Sequence, residues 1–300
     1  MRFRASIQNV ATFRRIIQTV EKLQKKCIIK FNETEMHIIC NTDESGVQVW
    51  SQIRTIALFT DYRIQSNADN QISLLLSTEA LLHALRSSES SSNADDIVMK
   101  LAKKRDVAVL SFEILGAGTG AAAGAGASTG GGMKVTHDVR IEVLKPAEVE
   151  RLREPLCPEP DIHILLPPLL KLRTLVDRLR PMADIVAVRA NGAGRLQISA
   201  GTDEVKLDLV WEGCTNPRMD GHADVHDGDD ADEDKSDPSQ MYGVLVHVRS
   251  LLKFLNAHVV STTTIACICH AHCMILYVYI GEVADAGGVL TFYIPAVLDD

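Results

Sequence analysis

The stretch that decides the fold is residues 162–211, IHILLPPLLKLRTLVDRLRPMADIVAVRANGAGRLQISAGTDEVKLDLVW. The apolar run at 162–166 is typical of a strand, and Pro168 in the first turn favours a helix that continues to residue 180. Three further strands are predicted, at 185–190, 195–200 and 204–211. The stretch is therefore one unit made of a strand, a helix and three strands.

The same unit is predicted three more times along the chain. The first copy has a strand at 2–8, a helix at 10–26 and strands at 27–31, 35–40 and 46–53. The second has a strand at 71–76, a helix at 77–87 with Ser77 as N-cap, and strands at 97–101, 107–115 and 134–144. The last has a strand at 242–247, a helix at 248–258 and strands at 263–269, 273–280 and 288–294. This repetition predicts an α+β fold of two similar domains, each of two units, with the helices on one face of curved antiparallel sheets.

The domain boundaries follow from length and from proline content. A chain of 300 residues predicts two domains. We place an N-terminal domain at 1–144, a proline-rich extended connector at 145–160 and a C-terminal domain at 161–300. Two segments fall outside the repeat and are predicted to be disordered insertions, namely the Gly/Ala-rich 116–132 and the acidic 215–240.

The charge of the chain is unevenly distributed. The net charge of -8 argues against a polyanion as partner, but residues 215–240 alone hold nine acids and two bases. The four predicted helices carry twelve bases and three acids, a net +9, on the faces opposite their leucines. A single surface helix often carries such bases without binding anything, whereas four of them on one side of a sheet favour non-sequence-specific contacts with DNA. The residues predicted to face DNA are Arg14, Lys22, Lys25, Lys171, Arg178, Arg249 and Lys253.

Chemistry-bearing motifs are sparse. The cluster Cys267, Cys269, His270, His272 and Cys273 has the composition of a zinc site but lacks a second ligand pair, so a strand hairpin with buried thiols is the better interpretation. No phosphate-binding loop, nucleophile elbow or EF-hand pattern occurs. We predict no catalytic residues, no metal and no cofactor, and keep a zinc-dependent enzyme as the alternative from a different class.

The cysteines and the N-terminal residues bear on the compartment. The seven cysteines are an odd number without framework spacing, and the start of the sequence lacks the apolar region of a signal peptide. No stretch approaches the ~20 apolar residues of a bilayer span. We expect an intracellular, soluble protein with reduced thiols and no membrane partner.

An ordered set of short motifs resembles the sliding-clamp superfamily and, within it, the Hus-type (hydroxyurea-sensitivity) subunits of the heterotrimeric checkpoint clamp, the nine-one-one complex. The motifs are MRFRA at 1–5, VTHD at 135–138, EP at 154–155, PEPD at 158–161, LP at 166–167 and FYIPA at 292–296. They span nearly the whole chain outside the two insertions.

The resemblance implies a non-catalytic subunit of a ring shaped like the proliferating-cell nuclear antigen, with helices lining the hole and sheets outside. It implies two other clamp subunits, double-stranded DNA, an alternative clamp loader, and checkpoint kinase activators and repair enzymes as partners in the nucleus. The connector would lie over the outer partner-binding surface. Edge strands would pair neighbouring subunits through Val135, His137, Val139, Ile141, Val205, Leu207 and Leu209. A homotrimeric replication processivity clamp is the alternative within this class.

Overall fold

The chain divides into two compact units, one formed by residues 1–40 and 50–153 and the other by residues 41–49 and 154–300. The computed structural model describes residues 1–41, 46–90, 94–116, 133–217, 237–281 and 287–297. Most of the two insertions predicted at 116–132 and 215–240 therefore lies outside the described residues. No helix in the described part of the chain is long and apolar enough to cross a membrane.

The first unit is a run of antiparallel strands with two long helices. Its strands are β1 (Arg2–Ile7), β2 (Lys26–Phe31), β3 (Glu35–Cys40), β4 (Gln48–Arg54), β5 (Phe59–Gln65), β6 (Ile72–Ser77), β7 (Ala94–Lys104), β8 (Val107–Gly116) and β9 (Met133–Val143). Its helices are α1 (Val10–Glu21), α2 (Thr55–Leu58), α3 (Thr78–Ser90) and α4 (Pro146–Val149). The hydrogen-bonded order of the strands is β4-β3-β2-β6-β9-β8-β7-β1-β5.

The two long helices of this unit, α1 and α3, pack against each other and bury one face each. The buried side chains include Phe13, Ile16, Ile17 and Val20 of α1 and Leu81, Leu82 and Leu85 of α3. Burying each such side chain contributes roughly 1.5–3 kcal/mol, which is why the apolar spacing dictates the helix face. The predicted N-cap is confirmed, because the Ser77 hydroxyl accepts a hydrogen bond of 3.3 Å from the amide of Ala80.

The first helix ends earlier than predicted. α1 stops at Glu21, so Lys25 lies in the following turn and Lys26 begins β2. The residues that follow α1 are held by tertiary contacts. Lys26 and Cys27 pair with Ser77 and Leu76 of β6, which commits the chain from Lys26 onward to a strand. The Thr78 hydroxyl donates to the carbonyl of Gln24 at 2.7 Å, and the Thr78 amide donates to that of Lys25 at 3.1 Å.

The first repeat also contains a strand that the sequence pattern does not predict. β5 pairs with β1 and follows the single-turn helix α2, so this copy has four strands after its helix. The register with β1 shifts between Arg4 and Ser6, and Asp61 has a φ of 47°. This bulge breaks the polar–apolar alternation by which a strand is recognised. In the connector, predicted as extended, residues 146–149 instead form the helical turn α4.

The second unit contains two four-stranded antiparallel sheets. Its strands are β10 (Ile162–Leu165), β11 (Ile185–Ala190), β12 (Leu196–Gly201), β13 (Lys206–Trp211), β14 (Tyr242–His247), β15 (Thr263–Cys269), β16 (Cys273–Ile280) and β17 (Gly288–Pro295). Its helices are α5 (Leu169–Leu179) and α6 (Val248–Leu255), and a 3-10 turn follows at Asn256–Val259. The sheet orders are β10-β15-β16-β17 and β13-β12-β11-β14. Both predicted units of this half are confirmed, with β13 starting two residues later than expected.

The helices of the second unit bury leucine-rich faces and contact each other. Leu172, Val176 and Leu179 of α5 are at most 2% exposed. Phe254 of α6 is fully buried and meets Phe292 of β17 edge-on, with ring centroids 5.2 Å apart. Because these apolar faces are fixed against the sheets, the opposite faces of both helices are left to solvent.

Candidate functional site

The solvent face of α5 is basic. Lys171, Arg173 and Arg178 are exposed, while Leu172, Val176 and Leu179 are buried. Among the described residues, none of these three bases forms an ion pair, so their charge is available to an external anion. Arg173 is not among the residues predicted to face DNA. Lys171 and Arg178 are seven residues apart and share one side of the helix, whereas Arg173 lies further around the helix.

α6 extends this basic surface within the same unit. Arg249 lies exposed in its first turn, and Lys253 is half-buried in its last turn. Together α5 and α6 carry five bases and one acid, Asp177, which gives a net charge of +4. We name the exposed side chains Lys171, Arg173, Arg178 and Arg249 the basic helix face.

The helices of the first unit are less basic than predicted. With the observed bounds, α1 and α3 hold three bases and three acids, so the four long helices total +4 and not +9. Arg14 is half-buried and donates to the Gln18 amide oxygen at 3.0 Å. Lys22 is exposed beside the Glu21 carboxylate, 3.0 Å away, and Lys25 is exposed beyond the helix end. Of the three residues of this unit that were predicted to face DNA, the two exposed ones, Lys22 and Lys25, therefore lie after the end of α1.

The strand β9 offers one incompletely paired edge. It pairs with β8 from Met133 to Arg140, but with β6 only over residues 141–143. Val135 and His137 are half-buried on the part that has a single neighbour. Ile141 does not lie at such an edge, because it pairs with Leu76 of β6, and this corrects the prediction for that residue.

Side chains fix this part of β9 against its own unit. The His137 ring nitrogen Nε2 lies 2.8 Å from the Ser87 hydroxyl of α3. Val139, also predicted at a subunit interface, is 3% exposed and therefore belongs to the core.

The strand β13 offers a second open edge, since among the described residues it pairs with β12 alone. Leu207 is 36% exposed, Val210 is 40% exposed and Leu209 is half-buried. Val205, 53% exposed, precedes the strand because β13 begins at Lys206. Exposed apolar side chains on an unpaired edge are the usual setting for pairing with another chain.

An ionic cluster links the neighbouring strands β7, β8 and β9. The Glu113 carboxylate of β8 lies 2.8 Å from Lys100 Nζ of β7 and 2.9 Å from Lys134 Nζ of β9. The hydrogen bonds from Lys100 and Lys134 lower the pKa of the Glu113 carboxyl. The charged form is therefore the one that the folded state stabilises.

Glu113→Gln is expected to lower the free energy of unfolding by up to about 1 kcal/mol at neutral pH. Because the folded-state pKa is lowered, this contribution is complete above the unfolded pKa and is lost as the pH falls through the folded pKa. Urea unfolding of both proteins at neutral and at acid pH measures it. Asp106→Asn removes an exposed partner of Lys103 and serves as the control, with no change expected. A deficit of Glu113→Gln that persisted unchanged in acid would contradict the ionic origin.

The cysteine cluster forms the predicted hairpin. Cys269 of β15 pairs with Cys273 of β16 across the turn 270–272, and both thiols are buried. Burial raises the pKa of the Cys267 thiol to about 12, and also raises that of Cys269. Within the described ranges, no three His, Cys, Asp or Glu side chains are grouped so as to hold a metal ion. These thiols belong to a packed sheet.

Comparison with known proteins places this arrangement in a family. The model of the family described as Hus1-like protein matches residues 1–298. The chain is 32% identical over 300 residues to the checkpoint protein hus1 of Schizosaccharomyces pombe, with all of both chains covered. It is 26% identical to the checkpoint protein HUS1 of Homo sapiens, over 89% of this chain and 90% of that one.

The solved structures agree on the fold. The proliferating cellular nuclear antigen of Entamoeba histolytica superposes with a TM-score of 0.67 at 14% identity, over 99% of each chain. The α+β sliding-clamp fold is thus confirmed, and the full-length match to the family model decides the membership. The chain belongs to the Hus1-like family.

Proposed function

We propose that this protein is a non-catalytic subunit of a heterotrimeric DNA sliding clamp. It acts in the nucleus, in the DNA damage checkpoint and in DNA repair, where the ring encircles double-stranded DNA and recruits other factors. The relatives in fission yeast and human are named checkpoint proteins, and the fold is that of proliferating cell nuclear antigens. An alternative clamp loader, checkpoint kinase activators and repair enzymes are the further partners.

The observation that carries the proposal is the basic helix face. Its four exposed side chains lie on two neighbouring helices whose opposite faces are buried, so a rigid scaffold positions them. Cationic side chains without base-reading partners suit phosphate contacts, which give affinity without sequence preference. A clamp that slides needs that kind of contact.

The partly unpaired edge of β9 and the outer edge of β13 support assembly into a ring. The single-neighbour part of β9 and the outer edge of β13 lie in different units, so one chain can pair with a neighbour through each. Pairing of edge strands uses main-chain hydrogen bonds and therefore tolerates different neighbouring sequences. Two unlike subunits can complete the ring in this way.

Co-expression with the two other clamp-subunit homologues of the same genome tests the proposal. We expect a complex of one copy each, which stays on closed circular DNA and is released when the circle is cut. Sedimentation and gel filtration give the stoichiometry. Separate elution of the three chains would contradict the proposal.

A homotrimeric replication clamp is the second candidate, because the β9 and β13 edges lie on the same chain and three copies could close a ring head to tail. The chain purified alone distinguishes the two. A monomer supports the heterotrimer, whereas a stable trimer that encircles DNA supports the homotrimer.

A further inference from the structure

Three arginines lie together on the β1–β5 pair of the first unit. Arg2, Arg4 and Arg63 are exposed, whereas Phe3 and Ala5 between them on β1 are 4% and 0% exposed. Since side chains alternate across a strand, the arginines point away from the buried face of the sheet. They lie on strands of the first unit and do not belong to the basic helix face, which is formed by α5 and α6.

The strand register places like charges directly opposite each other. Arg4 pairs with Arg63 of β5 on one side and with Lys100 of β7 on the other. Lys100 is neutralised by Glu113, but within the described part of the chain the three arginines form no ion pair. Like charges in direct cross-strand register destabilise a sheet, so the free protein carries a cost that an anionic ligand would relieve.

The arginines surround a cavity with room for an anion. The cavity has a volume of about 580 Å³, and its lining includes all three arginines together with the side-chain amides Gln65 and Asn70. Asn70 is held in place by donating to the Glu33 carboxylate at 2.7 Å. Guanidinium forks bind phosphate oxygens in pairs, and carboxamides are suited to main-chain groups of a peptide.

We propose that this cavity binds a phosphoserine- or phosphothreonine-bearing segment of a partner protein. The phosphate group lies between Arg4 and Arg63, with Arg2 as a further donor. Its charge of nearly two units offsets the repulsion between the opposed arginines. Clusters of arginines are the common means of reading such groups.

A peptide fits this surface better than duplex DNA. Carboxylates lie beside groups next to the arginines: Glu33 accepts from Asn70, and Glu113 pairs with Lys100, the cross-strand partner of Arg4. A duplex presents a long row of phosphates and would meet these acids, whereas a single phosphate group would not. The patch is thus matched to one compact dianion.

Fluorescence anisotropy with the full-length protein tests the proposal. The probes are a degenerate labelled peptide pool with one fixed phosphoserine, the same pool with serine, and a short duplex DNA. We expect the phosphorylated pool to bind at least about tenfold more tightly than the serine pool, and inorganic phosphate to compete. Arg4→Ser with Arg63→Ser removes the preference, while Arg86→Ser with Arg105→Ser, two exposed arginines elsewhere in this unit, preserves it.

Thermal unfolding separates lost binding from lost folding. The Arg4→Ser, Arg63→Ser protein should unfold at the same or a higher temperature, because the opposed charges are gone. Arg63→Lys keeps the charge without the fork and should give an intermediate loss of phosphopeptide binding. Equal binding of the two peptide pools, or an undiminished preference in the double variant, overturns the proposal. The proposal is also overturned if the unmodified protein shows no preference for the phosphorylated pool and the Arg4→Ser, Arg63→Ser protein loses binding to duplex DNA. That result would assign the patch to nucleic acid.

Discussion

Lys171→Glu combined with Arg178→Glu is expected to weaken binding of the assembled ring to duplex DNA by about one to two orders of magnitude at physiological salt. Both side chains are exposed on α5 and form no ion pair among the described residues. Each lost phosphate contact should reduce the slope of log affinity against log salt by about 0.9, and the added carboxylates repel the backbone. Folding should persist, since the buried Leu172 and Val176 that hold the helix are unchanged.

Titration of DNA at several salt concentrations measures both the affinity and the slope. Arg151→Glu with Arg153→Glu changes the net charge equally on exposed residues outside the long helices and should leave the slope unchanged. Arg14→Glu should have a smaller effect than either α5 substitution, because Arg14 is half-buried and bonded to Gln18. A slope that falls equally in the control would show that net charge alone, and not the basic helix face, determines DNA binding.

The second unit could be predicted almost completely from sequence because its signals are local. Pro168 precedes the first turn of α5, and leucines at helical spacing mark its buried face. The turn at Asn191 is held by its own side chain, which accepts from the amide of Arg195 at 2.9 Å. Each of these features depends on neighbours within a few residues.

The end of α1 could not be predicted in that way. Lys22 and Lys25 continue the helical spacing, and no glycine or proline stops it. The residues after α1 are instead held by residues more than fifty positions away in sequence, because Lys26 pairs with Ser77 of β6 and Thr78 bonds to the carbonyls of Gln24 and Lys25. The predicted helix includes Lys22, Lys25 and Lys26, which lie outside the observed α1, and the helices of the first unit are therefore less basic than predicted.

The arginine cavity could not be predicted from the sequence for a related reason. Arg63 lies on β5, whose bulge at Asp61 hides the strand pattern, so its pairing with Arg4 is visible only in the folded chain. The residues predicted at a subunit interface on β9 likewise depend on strand pairing that the sequence alone does not reveal. Alternation along β9 groups Val135 with Ile141, but only the strand register reveals that Ile141 already pairs with Leu76 of β6.

The open edge of β13 gives the last prediction. Leu207→Asp combined with Val210→Asp is expected to weaken ring assembly at least about 100-fold, because each unpaired carboxylate buried in an apolar interface costs about 2–4 kcal/mol. Both side chains are at least 36% exposed in the single chain, so the isolated protein should fold normally.

Sedimentation of the three co-expressed subunits measures assembly, and circular dichroism of the variant chain checks its fold. Ile56→Asp is the matched control, because Ile56 is an apolar side chain 74% exposed on the short helix α2 and belongs to neither β9 nor β13. Assembly that survives the β13 substitutions in a folded chain would exclude this edge from the subunit interface.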